Sequence, residues 1–230
     1  MYKQKELKKL EEKIGYEFKD KRLMVQALTH SSFSNEQKIN KFKNYERLEF
    51  LGDAVLELLS SRFFYENYPD MAEGQMTRMR SSMVCEPALA FCARDLSLGD
   101  FILLGKGEEA TGGRMRDSII SDVMEAVIGA IYLDGGIDKA NEFVQKYVLS
   151  DLEDKQLFYD SKTILQEQVQ KKGQELVYKL VSESGPDHDK IFVVEAVIDG
   201  QVVGKGQGRN KKSAEQQAAY QVLLMQKPKA

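Results

Sequence analysis

Long apolar runs are missing: nothing in these 230 residues approaches the roughly 20 consecutive apolar positions that span a bilayer. The opening MYKQKELKKLEEKIG is charged throughout and lacks the apolar core of a secretory signal. A cytoplasmic protein with no membrane partner is expected. Cysteine is scarce as well. Cys85 and Cys92 sit seven apart in one expected helix, roughly two turns and beyond disulfide reach, so both are expected to be buried free thiols. With only two histidines, His30 and His188, a metal site must be built from oxygen ligands, which excludes most zinc chemistry. A di-iron bundle is excluded too, because its Glu-x-x-His pairs do not occur. His30, in ALTHSS near a helix end, is expected to be structural.

Strong charge of one sign is also absent. The net charge is −3, and its distribution matters more than its sum. Residues 1–159 carry 22 Lys and Arg against 27 Asp and Glu, whereas residues 160–230 carry 11 against 9. The stretch GKGQGRNKKSAE holds Lys205, Arg209, Lys211 and Lys212 with no acid before Glu215. Such a local patch binds phosphate whatever the net charge.

What is present is helical periodicity and enough apolar residues, 42%, for a packed core. From Lys5 to about Ser150 the patterns predict helices over Lys5–Ile14, Lys21–Leu28, Lys43–Tyr68, Glu73–Ser82, Glu86–Leu96, Met115–Leu133 and Ile137–Leu149, with no alternating strand. Residues 1–150 are thus expected to form an all-α domain. DLEDKQLFYD, residues 151–160, has little periodicity and is the expected linker. A small α+β domain follows over 161–230: a helix at Lys162–Lys172, three antiparallel strands from LVYKLVSESG, KIFVVEAVIDG and QVVGKGQG, and a helix at Lys211–Met225. Asp199-Gly200 is a favoured hairpin turn between the last two strands.

Residues 44–59, NYERLEFLGDAVLELL, carry acids in a regular line. At about 100° per residue, Leu48, Leu51, Val55, Leu58 and Leu59 gather on one side and Glu46, Glu49, Asp53 and Glu57 on the other. A solvated acidic face is one explanation. Phe50 speaks against it, because it falls at about 40° on that wheel, among the acids, and calls for a partner. Acids at i, i+3 and i+7 also repel, with only Arg47 nearby to relieve them. A second pair, Asp122 and Glu125 in SIISDVMEAVIGAIYLDGG, shares a face with Ala126 and Gly129. Small residues beside charges suggest a close helix contact, since glycine costs about 1 kcal/mol relative to alanine in a helix. If the two helices meet, the acids converge and call for a hard cation.

NYERLEFLGDAVL resembles the signature of the ribonuclease III family, SDVMEAVIGAIYLDGG is similar to that family's second acidic motif, and residues 160–226 resemble its double-stranded RNA-binding domain. The resemblance implies an Mg²⁺-dependent endoribonuclease, with Mn²⁺ as a substitute, that cuts both strands of duplex RNA to leave 5′-phosphate and 3′-hydroxyl ends, and that processes ribosomal RNA precursors and other structured transcripts. It implies Glu49, Asp53, Asp122 and Glu125 as metal ligands, Asp53 and Glu125 being central to catalysis, with Glu46 and Glu73 as accessory acids. It implies that Phe50 anchors a homodimer by entering a socket on the second subunit; packing of Phe50 within its own chain is the alternative. Thr163, Gln166, Glu167 and His188 are then expected in minor grooves, with Lys211, Lys212 and Ser213 on the phosphates between. No nucleotide cofactor is expected, because Asn210 stands where a phosphate-binding loop needs glycine before Lys211. An RNA-binding protein whose helical domain only dimerises is the rival, and the presence of all six acids argues against it.

Overall fold

The computed structural model describes residues 4–38, 43–150, 161–185, 190–208 and 210–226. It divides into two compact units, Met1–Ser150 and Asp151–Ala230. The expected linker, 151–160, lies outside the described residues.

The first unit is all-helical: α1 (Gln4–Ile14), α2 (Lys21–Ala27), α3 (Ser31–Glu36), α4 (Glu46–Asn67), α5 (Glu73–Val84), α6 (Glu86–Asp95), α7 (Lys106–Ala110), α8 (Asp117–Gly135) and α9 (Ile137–Tyr147). The short α3 and α7 escape sequence periodicity because neither is long enough to repeat an apolar stripe. His30 does the structural work expected of it: its Nδ1 accepts from the Ser32 amide at 3.1 Å and caps α3. Burial holds the imidazole below its ordinary titration range, which suits an accepting nitrogen.

The centre of this unit is α8. Ile119, Ile120, Val123, Met124, Ala126, Val127, Ile128, Ala130 and Ile131 are all buried, so the helix is apolar nearly all round and is covered by α2, α4, α6 and α9. Its closest neighbour is α4, and glycine decides how close. A Cβ on Gly52 would overlap the Glu125 carbonyl, and one on Gly129 would overlap the Leu48 carbonyl. The two backbones therefore touch, and the buried side of α4 is turned toward this crossing: Leu48, Gly52, Val55, Leu56, Leu59, Ser60 and Phe64. The expected apolar line is corrected here. Leu58 is 60% exposed, because it lies off the stripe that Gly52 points at α8.

The cysteines also differ from expectation. The helix breaks at Cys85, which is extended (φ −72°, ψ 156°) and precedes α6, whose first turn holds Pro87. Cys85 is half-buried, Cys92 is buried in α6, and both are free thiols.

The second unit is α10 (Ser161–Lys171), a three-stranded antiparallel sheet of β1 (Leu176–Ser184), β2 (Ile191–Ile198) and β3 (Gln201–Gly208), and α11 (Lys211–Gln226). Its core joins Leu165 and Val169 of α10, Ala196 of β2, and Ala218, Ala219, Val222 and Leu223 of α11. The β2–β3 turn is left-handed at Asp199 (φ 49°) and Gly200 (φ 81°), as the favoured hairpin requires. Asp199 is held further by accepting from the Glu175 amide at 2.9 Å. The glycines of β3 serve packing: a Cβ on Gly206 would overlap the Ala218 amide and the Ala214 carbonyl of α11. Because strand residues alternate sides, Lys205 points away from α11, 3.6 Å from Glu195. Lys205 is thus separated from the expected basic patch.

Gly52→Ala forces a methyl group into the Glu125 backbone, so the helices must part or bend. The expected loss of stability is about 3 kcal/mol or more, at the upper end for overpacking, and urea unfolding of the full chain measures it. A loss below about 1 kcal/mol would mean the crossing is looser than described.

Candidate active site

Helices α4 and α8 cross at the glycine contact. Tyr45, just before α4, meets Asp122 early in α8, and Gly52 meets Glu125 and Gly129 further on. Glu49 and Asp53 of α4 lie close enough to Asp122 and Glu125 of α8 for their charges to act on one another. Tyr45 is buried, and its hydroxyl donates to Asp122 Oδ2 at 3.3 Å. Sequence reasoning passed over Tyr45, although it stands in the acidic motif itself.

The electrostatics show the crowding. The Glu125 carboxyl is pushed up to about 8, first by burial and then by Asp53, Glu49 and Asp122. The Glu49 carboxyl is pushed up to about 7, again first by burial and then by Asp122, Glu46 and Asp53. Asp122 is raised by burial, and its bond from Tyr45 only partly offsets this. Among the described residues, none of Glu46, Glu49, Asp53, Asp122 and Glu125 pairs with a Lys or Arg. Desolvated carboxylates without a cation favour their neutral forms.

The donor set fits a hard divalent cation: every group offered is a carboxylate oxygen, and burial with mutual repulsion leaves negative charge to neutralise. Among the described residues, no three His, Cys, Asp or Glu side chains are gathered tightly enough to coordinate one ion as they stand. Glu46 and Asp53 are exposed at the edge of the group. The acids form an open rim, and no closed cage is formed among the described residues.

Glu73 is placed elsewhere. It begins α5 and lines a cavity of about 600 Å³ with Leu58, Ser61, Phe64, Tyr65, Met76, Thr77 and Arg80. Ser61 lies about 12 Å along the α4 axis from Asp53, so Glu73 does not join the other acids within its own chain. Thr77 Oγ1 donates to the Glu73 carboxylate at 2.9 Å, and Arg80 donates to Ser61 Oγ at 2.7 Å. Phe50 is 80% exposed on the outer side of α4, a side it shares with Leu58 and Tyr65, the latter 76% exposed. Packing within its own chain is thereby excluded for Phe50. The cavity and its Met76 lining were not foreseen, since α5 has no strong apolar stripe to announce them.

In the second unit, Thr163, Gln166 and Glu167 are exposed on α10, opposite the buried Leu165 and Val169. Lys211, Lys212 and Ser213 are exposed in the first turn of α11. Asn210 caps that turn: its Oδ1 accepts from the Ser213 amide at 2.8 Å, and Ser213 Oγ donates to the Asn210 carbonyl at 3.0 Å. The Ser213 amide and the Ser213 hydroxyl are therefore both already engaged. His188 and Arg209 lie outside the described residues.

A helical unit with a cation-seeking carboxylate cluster, followed by an α-β-β-β-α unit with polar residues on two adjoining helices, defines a two-domain nucleic-acid hydrolase. Comparison with known proteins gives the family. Residues 20–152 match the ribonuclease-III-like family and residues 161–225 the double-stranded RNA binding motif. The chain is 46% identical over 224 residues to ribonuclease 3 of Bacillus licheniformis, spanning 96% of this chain and 90% of that one. It is 49% identical over 218 residues to ribonuclease 3 of Caldanaerobacter subterraneus, spanning 93% and 95%. The nuclease domain of ribonuclease III from Campylobacter jejuni, described as flexible in a region involved in dimer formation, superposes with a TM-score of 0.58 at 44% identity over 62% of this chain and 95% of that one. The chain belongs to the ribonuclease III family.

An unfolded glutamate titrates near 4.5 and the folded Glu125 near 8, so between these values the folded protein keeps a proton that the unfolded chain has released. The stability this group contributes is complete below about pH 4.5 and is lost as pH rises through about 8. Without divalent cation, Glu125→Gln should raise Tm at about pH 8.5 and leave it little changed at about pH 4.5. Calorimetry at the two pH values, repeated with Mg²⁺ to shrink the difference, measures this. An equal gain at both pH values would show that burial of charge is not the cause.

Proposed function

We propose that the acids at the α4/α8 crossing are the Mg²⁺ site of this double-strand-specific endoribonuclease, that Mn²⁺ can substitute, and that two copies of the chain form the working enzyme. The chain's place in the ribonuclease III family carries the activity: it cleaves both strands of duplex RNA. The observation that supports the site is the set of half-buried carboxylates lacking any Lys or Arg partner among the described residues, with Glu49 and Glu125 driven toward neutrality.

Glu49, Asp53, Asp122 and Glu125 are the proposed ligands, with Glu46 at the rim. When bound, Mg²⁺ supplies an activated water as nucleophile and stabilises the leaving 3′ oxygen, giving 5′-phosphate and 3′-hydroxyl ends. Tyr45 holds the Asp122 carboxylate through its hydroxyl and so fixes one ligand's orientation. The glycine crossing sets the spacing between the two pairs of acids. No side chain is assigned as general base. Precursor ribosomal RNA and other structured transcripts are the proposed substrates, in the cytoplasm. No described helix is long and apolar enough to cross a membrane.

The dimer follows from the exposed Phe50 and the cavity behind Leu58 and Tyr65. A large apolar ring in open water is unfavourable, and an apolar cavity of matching character lies on the same side of α4. Within one chain the two are too far apart along α4, whereas a twofold axis brings each Phe50 to the other copy's cavity. Because Glu73 lines that cavity and Glu49 adjoins Phe50, the same insertion carries the partner's Glu73 toward Glu46 and Glu49. That is how an acid remote in its own chain reaches the site. Two sites related by a twofold axis also suit the two strands of a duplex.

Asp122→Asn should abolish cleavage of a long RNA duplex in Mg²⁺ yet leave duplex affinity in Ca²⁺ within about threefold, a change under 1 kcal/mol. Normal turnover would remove Asp122 from the site. Phe50→Ala should weaken the dimer by about 2 kcal/mol or more, the range of an interface anchor, and depress activity at low protein concentration. Sedimentation reads the first effect directly, and an unchanged dimer at nanomolar protein would refute the socket.

A further inference from the structure

The start of α10 is tied to the start of α11 by two adjacent contacts. Ser161 is fully buried, and its Oγ donates to the Gln216 carbonyl at 2.8 Å. Next to it, the Lys162 ammonium pairs with the Glu215 carboxylate and sits 5.0 Å above the centre of the Tyr178 ring of β1. Both charged side chains are mostly covered, 33% and 27% exposed, so solvent screens this pair less than a surface bridge. The Tyr178 hydroxyl is buried and has no hydrogen-bond partner among the described residues, which leaves the ring, and not its oxygen, as the group that meets Lys162.

The position of these contacts matters more than their strength. Lys162 immediately precedes Thr163, and Glu215 stands two residues after Ser213. One strut therefore joins the helix that presents Thr163, Gln166 and Glu167 to the turn that presents Lys211 and Lys212. A-form RNA fixes the spacing between a minor groove and the neighbouring phosphates, so a rigid protein spacing lets both sets engage at once. An error near 1 Å in such a spacing is enough to spoil a preorganised site. From its place in the chain, Lys162 would be taken for one more phosphate contact. Its ammonium is instead committed to an acid and a ring between the two helices and the sheet.

We propose that Lys162 is a positioning residue for duplex recognition, which locks the α10 contact set to the α11 contact set through Glu215 and Tyr178, and that it is not itself a phosphate contact. The proposal rests on the assignment of Thr163, Gln166, Glu167, Lys211 and Lys212 as the RNA-facing residues.

The test uses the full chain in Ca²⁺ and two duplexes, one of about 16 base pairs that spans both contact sets and one of about 8 that is too short to do so. Lys162→Met should weaken binding of the long duplex about tenfold, or about 1.4 kcal/mol, and that of the short duplex less than twofold. Lys162→Arg, which keeps the charge and the ring contact, should bind both as the parent does. An equal loss on both duplexes, with a slope of log affinity against log salt shallower by about 0.9, would make Lys162 a phosphate contact and overturn the proposal. Unchanged affinity of Lys162→Met for both would overturn it as well. If circular dichroism shows that Lys162→Met unfolds the second domain, Glu215→Gln breaks the same pair from the other side and is judged by the same comparison. The double variant Lys211→Ala/Lys212→Ala separates the underlying assignment: its salt slope should fall by about two contacts on the long duplex, and an unchanged slope would overturn the contact set whatever Lys162 does.

Discussion

The contact of Gly52 with Gly129 is the constraint from which the nuclease unit is built. Two helix backbones reach van der Waals contact only where neither carries a side chain, and this crossing is placed among four acids. Close approach draws Glu49 and Asp53 toward Asp122 and Glu125, and the apolar length of α8 then removes water from one side of the group. The same packing that stabilises the unit thereby generates the charge stress that a divalent cation relieves. Stability and metal affinity are opposed in the empty protein and aligned in the loaded one.

That crossing also governs the outer face of α4. Since Gly52 turns the Leu48–Val55–Leu59 side to α8, the residues on the opposite side of the helix are left outward. Phe50, Leu58 and Tyr65 are therefore exposed because the inner face is fully used. On the proposed reading, one helix supplies the core, the metal ligands and the dimer interface with little extra sequence. Glu73 starts α5 and accepts from Thr77 beside the cavity, apart from the acids at the crossing.

The RNA-binding unit repeats the device at smaller scale. The β3 glycines admit α11 directly onto the strand, as Gly52 admits α8. A helix seated so closely cannot slide, and its first turn inherits that precision. The Asn210 cap and the Lys162–Glu215 pair fix the same end from two sides. Recognition of RNA by shape requires such rigidity, because shape is read through distances.

Periodicity by itself determined the long helices, the strand order and the Asp199-Gly200 turn, since each depends on local apolar spacing or on one backbone preference. The acids were legible for the same reason: charges three and four apart on two helices announce a shared face, and a long motif tied them to a family. Tertiary structure alone decided the rest. It turned Leu58 outward, because the direction of a helix's buried face depends on where its neighbour comes closest. It added α3 and α7, which are too short to carry a period. It sent Lys205 to the far side of the sheet from Lys211, although the two are six residues apart in one basic stretch. It set Glu73 beside a cavity and away from its fellow acids, because α5 returns along α4 beyond the crossing. Sequence lists which groups are available, but distances between groups remote in the chain arise only when backbones pack, and charge stress, sockets and struts are all functions of distance.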